Sequence, residues 1–124
     1  MQINIYFKNQ LVGEFDENIN IVKIGRGFEN NIVLQDSKIS RNHIIIIKQD
    51  NIYKVRDLDS TNGTFINGKK LKPGVFYNLD PTDIINAGDT KLRIDRKEIK
   101  RNKKAVMPIT IASGLIVVIL VAFG

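Results

Sequence analysis

Short apolar–polar alternations, each broken within a few residues by Gly, Asn or Pro, run through residues 1–95 and leave no window with helical periodicity. Such a pattern restricts the chain to many short strands whose alternate side chains face a common core. Ile3 and Ile5 alternate with polar neighbours, and residues 11–15 follow a break at Asn9-Gln10 suited to a hairpin. Ile19, Ile21 and Ile24 repeat the period of two. Residues 44–47 are four consecutive isoleucines, the β-branched run of a strand central to a core. Residues 52–57 alternate again, and residues 64–66 and 69–71 flank Asn67-Gly68, a type I′ hairpin signal because both turn positions need positive φ. Residues 75–77, 83–85 and 91–94 complete the series. Strands at this spacing with turns of this chemistry predict an all-β sandwich of short antiparallel strands.

The composition changes abruptly further on. Residues 105–124 contain no charged side chain. As a helix they would rise about 30 Å, one hydrocarbon core. A single transmembrane helix is therefore expected there, with Pro108 tolerated in its first turn. Residues 96–104 hold six basic side chains and one acid, +5 of the chain's formal +6, which leaves +1 for residues 1–95. The basic character thus belongs to a linker beside the apolar segment, and a nucleic-acid footprint on the folded part is not expected. By the positive-inside rule the linker places residues 1–95 in the cytoplasm, and it offers a contact with anionic lipid headgroups. The chain divides into a domain at 1–95, a linker at 96–104 and a membrane segment at 105–124. With no cysteine, neither a disulfide framework nor a thiolate metal site exists.

Chemistry concentrates in three segments: Gly25-Arg26, Ser40-Arg41-Asn42-His43, and Ser60-Thr61-Asn62-Gly63. Fourteen residues separate Arg26 from Ser40, and twenty-two separate Ser40 from Asn62, room for two pairs of short strands between three loops on one rim. With Asn31-Ile32-Val33-Leu34 before the serine loop and Gly63-Thr64-Phe65-Ile66-Asn67-Gly68 after it, the set resembles the phosphopeptide-binding loops of forkhead-associated (FHA) domains over roughly residues 2–95.

That resemblance implies a phosphothreonine-binding module without catalysis. A phosphothreonine brings about −1.5 to −2 charges and three strong acceptor oxygens. The Arg26 guanidinium suits two phosphate oxygens at once. Ser40 would donate its hydroxyl, Arg41 offers a second cation and Lys38 a third. The resemblance assigns Thr61 a phosphate-side contact and Asn62 amide bonds to the peptide main chain. Gly25, His43 and Gly63 would support the loops, with Gly63 in a positive-φ turn. His43, the only histidine, is expected to buttress a loop, and no metal or cofactor is implied. No nucleophile–base pair or carboxylate cluster stands out. The partner is a phosphothreonine-containing protein or peptide recruited to the cytoplasmic face of the membrane. The alternative is a phosphate-independent FHA scaffold in a membrane assembly. Pro81-Thr82, where the family commonly has a Gly-Asp turn, and Asn86-Ala87-Gly88 depart from the pattern and loosen the strand boundaries there.

Overall fold

The computed structural model describes residues 1–95, 109–111 and 115–118. Residues 1–95 hold eleven strands: β1 (Gln2–Phe7), β2 (Gln10–Asp16), β3 (Ile21–Gly25), β4 (Ile32–Leu34), β5 (Ile44–Gln49), β6 (Ile52–Asp57), β7 (Phe65–Ile66), β8 (Lys69–Lys70), β9 (Phe76–Leu79), β10 (Ile85–Ala87) and β11 (Thr90–Asp95). One sheet runs β2-β1-β11-β10-β7-β8, and the other contains β4-β3-β5-β6-β9. Their inner faces meet in one core. Ile3, Ile5, Phe15 and Leu92 from the first sheet pack with Val22, Ile24, Ile44, Ile46 and Val55 from the second, all fully buried.

The turns follow from local chemistry. Asn67 and Gly68 have φ of 50° and 85° and close the β7–β8 hairpin, where Ile66 faces Lys69. The first hairpin turns on Lys8 and Asn9, with φ of 51° and 68°, one residue earlier than the Asn9-Gln10 break suggests. Asp50 and Asn51 make the same kind of turn between β5 and β6. Pro81 and Thr82 are the two central residues of a turn closed by the Asp83 N–H on the Asp80 carbonyl. That turn delays β10 to Ile85, two residues beyond the strand start expected at 83.

Within the sandwich itself, two expectations differ from the structure. The sandwich is not wholly antiparallel: β3 and β4 pair in parallel, Ile24 beside Ile32 and Gly25 beside Val33. The loop between them folds back, the Asn31 N–H donating to the Lys23 carbonyl and the Asn31 side chain accepting from the Lys23 N–H. The isoleucine run is not uniformly buried either. Ile44 and Ile46 enter the core, while Ile45 and Ile47 face outward and are half-buried.

The helix expected over 105–124 is not seen in the two described stretches of that range. They are strands, β12 (Ile109–Ile111) and β13 (Leu115–Val118), paired antiparallel. β13 lies parallel to β4, Ile116 beside Ile32. The segment is rich in β-branched residues, which favour strands, and β4 otherwise presents an open edge of backbone donors and acceptors. The rest of 105–124, and the basic linker 96–104, lie outside the described residues. Among the described residues no helix is long and apolar enough to cross a membrane.

Candidate functional site

The loops after β3, before β5 and after β6 meet at one end of the sandwich. Backbone hydrogen bonds join the first two: the Arg26 N–H donates to the Ser40 carbonyl at 3.0 Å and the Gly27 N–H to the Arg41 carbonyl at 3.1 Å. Asn30, almost fully buried, clamps them further. Its Nδ2 donates to the Gly27 carbonyl at 2.8 Å and to the Arg41 carbonyl at 2.7 Å. The approach is so close that a Cβ at Gly25 would collide with the Arg41 carbonyl oxygen and lie 2.9 Å from Asn30 Nδ2. Gly25 is required for proximity, not for φ.

The serine and asparagine loops are joined by His43, which is 0% exposed. Its Nδ1 accepts from the Ser40 N–H at 3.0 Å, so the neutral ring carries its proton on Nε2, which donates to the Gly63 carbonyl at 3.0 Å. Burial holds the His43 pKa below its ordinary value, outweighing the opposing pull of the Gly63 carbonyl and of the Asp57 and Asp36 carboxylates. The neutral ring makes the 4.0 Å approach of Asp57 a contact rather than an ion pair.

Asp57 organises the third loop. Its carboxylate accepts from the Ser60 N–H at 3.0 Å and from the hydroxyls of Ser60 and Thr64, while Ser60 Oγ accepts from the Gly63 N–H at 3.0 Å. Desolvation alone would raise the Asp57 pKa, but these hydrogen bonds outweigh it and hold the carboxyl below its usual range. Gly63, with φ of 89°, turns the chain back into the sheet.

Arg26, Ser40, Arg41, Thr61 and Asn62 come together around an open cleft of about 250 Å³, with Lys38 beside them. Several of their polar groups are already engaged. Arg26 Nε donates to the Ile39 carbonyl at 2.9 Å, which fixes the guanidinium and leaves its two Nη groups without a protein partner among the described residues. Ser40 Oγ accepts from the Thr61 N–H at 2.9 Å, so its own O–H remains available to donate. Asn62 uses one Nδ2 hydrogen on the Lys38 carbonyl at 3.0 Å and keeps another, together with Oδ1, for a ligand. Arg41 and Lys38 are partly neutralised by exposed pairs, to Glu29 and Asp89 respectively, each at 3.1 Å. Exposed pairs of this kind are worth about 0–1 kcal/mol and yield readily to a doubly charged ligand. The cleft can therefore offer planar N–H donors, a hydroxyl and an amide to one anion and its attached chain.

Sequence reasoning missed Asn30, Asp57 and Asp36. The Asp36 carboxylate ties the start of the serine loop to β11, accepting from the Asp89 N–H and the Thr90 hydroxyl, both at 2.9 Å. Asn30 stood directly ahead of Asn31-Ile32-Val33-Leu34, and Asp57 just before Asp59-Ser60, but nothing local marked either as a clamp.

The FHA-domain family model matches residues 22–88. An FHA domain-containing protein of Arabidopsis thaliana is 35% identical over 71 residues, which are 57% of this chain and 18% of that protein. The chain spans less than a fifth of the length of the curated relatives it matches. Among solved structures, the FHA domain of a Chlamydia trachomatis protein has a TM-score of 0.69 at 26% identity, over 77% of this chain and 96% of that one. EmbR of Mycobacterium tuberculosis, in complex with a low-affinity phosphopeptide, has a TM-score of 0.68 at 20% identity over 82% of this chain and 26% of its own.

The His43 geometry has a pH signature. Because its folded pKa lies below the unfolded value near 6.5, the unfolded state binds more protons between the two values. The stability held by neutral His43 is therefore complete above about pH 6.5 and shrinks as the pH falls toward the depressed folded value. Asp57, whose folded pKa is lowered, adds a second loss as the pH falls below the ordinary aspartate value of about 3.9. Thermal denaturation should show the melting temperature falling from pH 7 to pH 5. His43→Ala, which leaves the Ser40 N–H and Gly63 carbonyl unpaired at about 1–3 kcal/mol each, should melt lower at pH 7 and lose that slope. Parallel pH profiles for the two proteins would contradict the assignment.

Proposed function

The chain belongs to the FHA family, and on that premise we propose that the Arg26, Ser40, Arg41, Thr61 and Asn62 cleft binds a phosphothreonine-containing protein or peptide and recruits it to the cytoplasmic surface of a membrane. FHA domains bind phosphothreonine peptides. The observation that carries the reading to these residues is the pair of unengaged Arg26 Nη groups beside an unengaged Ser40 O–H, held in one cleft by backbone bonds between their loops. Two phosphate oxygens accept from the guanidinium, a third from Ser40, and the Asn62 amide holds the peptide main chain. The function is binding, without catalysis and without a cofactor.

The membrane part of the proposal rests on residues 105–124. In water this uncharged segment can pair with the β4 edge, whereas in a bilayer a helix satisfies every backbone group internally. The six basic residues at 96–104 flank its N-terminal side and hold the domain in the cytoplasm, where kinases and ATP supply the ligand.

Arg26→Ala should abolish phosphopeptide binding while the domain stays folded. Two charged hydrogen bonds of about 1.5–3 kcal/mol each amount to roughly two to four powers of ten in affinity. Calorimetry beside a thermal melt separates binding from folding. Unchanged affinity would favour a phosphate-independent scaffold.

The topology has its own test in intact cells. A reporter fused to the N-terminus should resist external protease, and one fused after Gly124 should be digested. Digestion of the N-terminal reporter would overturn the orientation and with it the supply of ligand.

A further inference from the structure

Away from the cleft, the outer face of the second sheet carries two cross-strand rows. Lys23, Ile45, Arg56 and Phe76 are successive partners across β3, β5, β6 and β9, and Ile21, Ile47, Lys54 and Asn78 form the next row. Gln49 and Ile52 extend the face at the turn. Ile21, Ile52 and Phe76 are 54%, 45% and 39% exposed. Neither row contains an acid: Asp57 of β6 is buried on the inner side, and the exposed Asp50 and Asp80 lie beyond the strand ends, at the margin of the face. At the cleft, Lys38 and Arg41 have carboxylate partners. Among the described residues no carboxylate pairs with Lys23, Lys54 or Arg56. The Arg56 guanidinium lies 5.4 Å from the Phe76 ring centroid, and its Nε is buried without a hydrogen-bond partner.

We propose that this face docks on an anionic lipid surface. Apolar side chains interleaved with unpaired cations match the boundary between acyl chains and phosphate headgroups, where Lys and Arg stems lie on the apolar layer and their charges meet the phosphates. The inference rests on the membrane reading of residues 105–124, which brings a bilayer within reach. The linker 96–104 has the same sign of charge. Its nine residues span up to about 30 Å when extended, enough to lay the domain on its side. A protein partner would need a face both acidic and apolar, whereas an anionic bilayer beside the tether already supplies both. The cleft lies at the strand ends, so in this pose it opens along the membrane and favours a phosphothreonine carried close to the bilayer.

The chain lacks cysteine, so single substitutions can carry a polarity-sensitive dye. Asn78→Cys places it on the face, and Gln10→Cys, on β2 of the other sheet, serves as the control. The full chain is mixed with phosphatidylcholine vesicles, with and without phosphatidylglycerol, and floated on a gradient. The proposal expects flotation with both, and a blue shift of the dye at 78 only with phosphatidylglycerol and none at 10. Lys23→Gln with Lys54→Gln should lower the docking equilibrium constant about thirty-fold, at about 1 kcal/mol per cation and tenfold per 1.4 kcal/mol, and with it the dye shift. Flotation without a shift at 78, or a shift that survives the double substitution, overturns the docking and leaves the face to a protein. Failure to float with phosphatidylcholine alone overturns the tether itself, and is read separately from the dye.

Discussion

The neutral imidazole of His43 holds the serine loop against the asparagine loop, accepting from the Ser40 N–H and donating to the Gly63 carbonyl. Both bonds are needed together. A protonated ring would have a donor facing the Ser40 N–H, and a missing ring would leave two polar groups buried without partners. Burial keeps the ring neutral, so the same packing that hides His43 also fixes its role. The ligand-facing groups then fall into place through short backbone links. Ser40 Oγ is set by the Thr61 N–H, and Asn62 by the Lys38 carbonyl.

Rigidity is built from beneath the cleft and recognition is left on top. Asn30, Asp57 and Asp36 each satisfy several backbone or hydroxyl groups from below, and none of them lines the cleft. Among the groups that remain unengaged, the Arg26 Nη pair and the Ser40 O–H are those an anion would use, and the Asn62 amide is left for an attached chain. Preorganised donors lose little freedom when a ligand arrives, so more of their interaction energy appears as affinity.

What the sequence revealed, and what it hid, divides along range. The Asn67-Gly68 turn closes the hairpin its dipeptide signals, and Arg26, Ser40 and Asn62 sit in loops lining one cleft. The strand alternation is displaced by only one or two residues, at Lys8-Asn9 and at Ile85. The clamps are not local: Asn30 reaches Arg41 eleven residues on, and Asp36 reaches Thr90 across 54. A polar residue in a loop looks the same whether it ends in water or on a buried carbonyl. The parallel β3–β4 pairing was hidden for a similar reason, since three buried residues in β4 show no alternation. The apolar segment at 105–124 is the hardest case. Its lack of charge suits a membrane helix, while its β-branched residues suit the strand pairing with β4 that its described stretches show.

Everything above the clamps is arranged as a reader of phosphate on threonine would need it. Titrating the protein with a degenerate phosphothreonine peptide library, beside the same library without phosphate, tests it most directly. A phosphate-reading cleft gives saturable binding for the phosphorylated library alone, weakened as added inorganic phosphate competes for the Arg26 and Ser40 donors. Equal binding of the two libraries would contradict it.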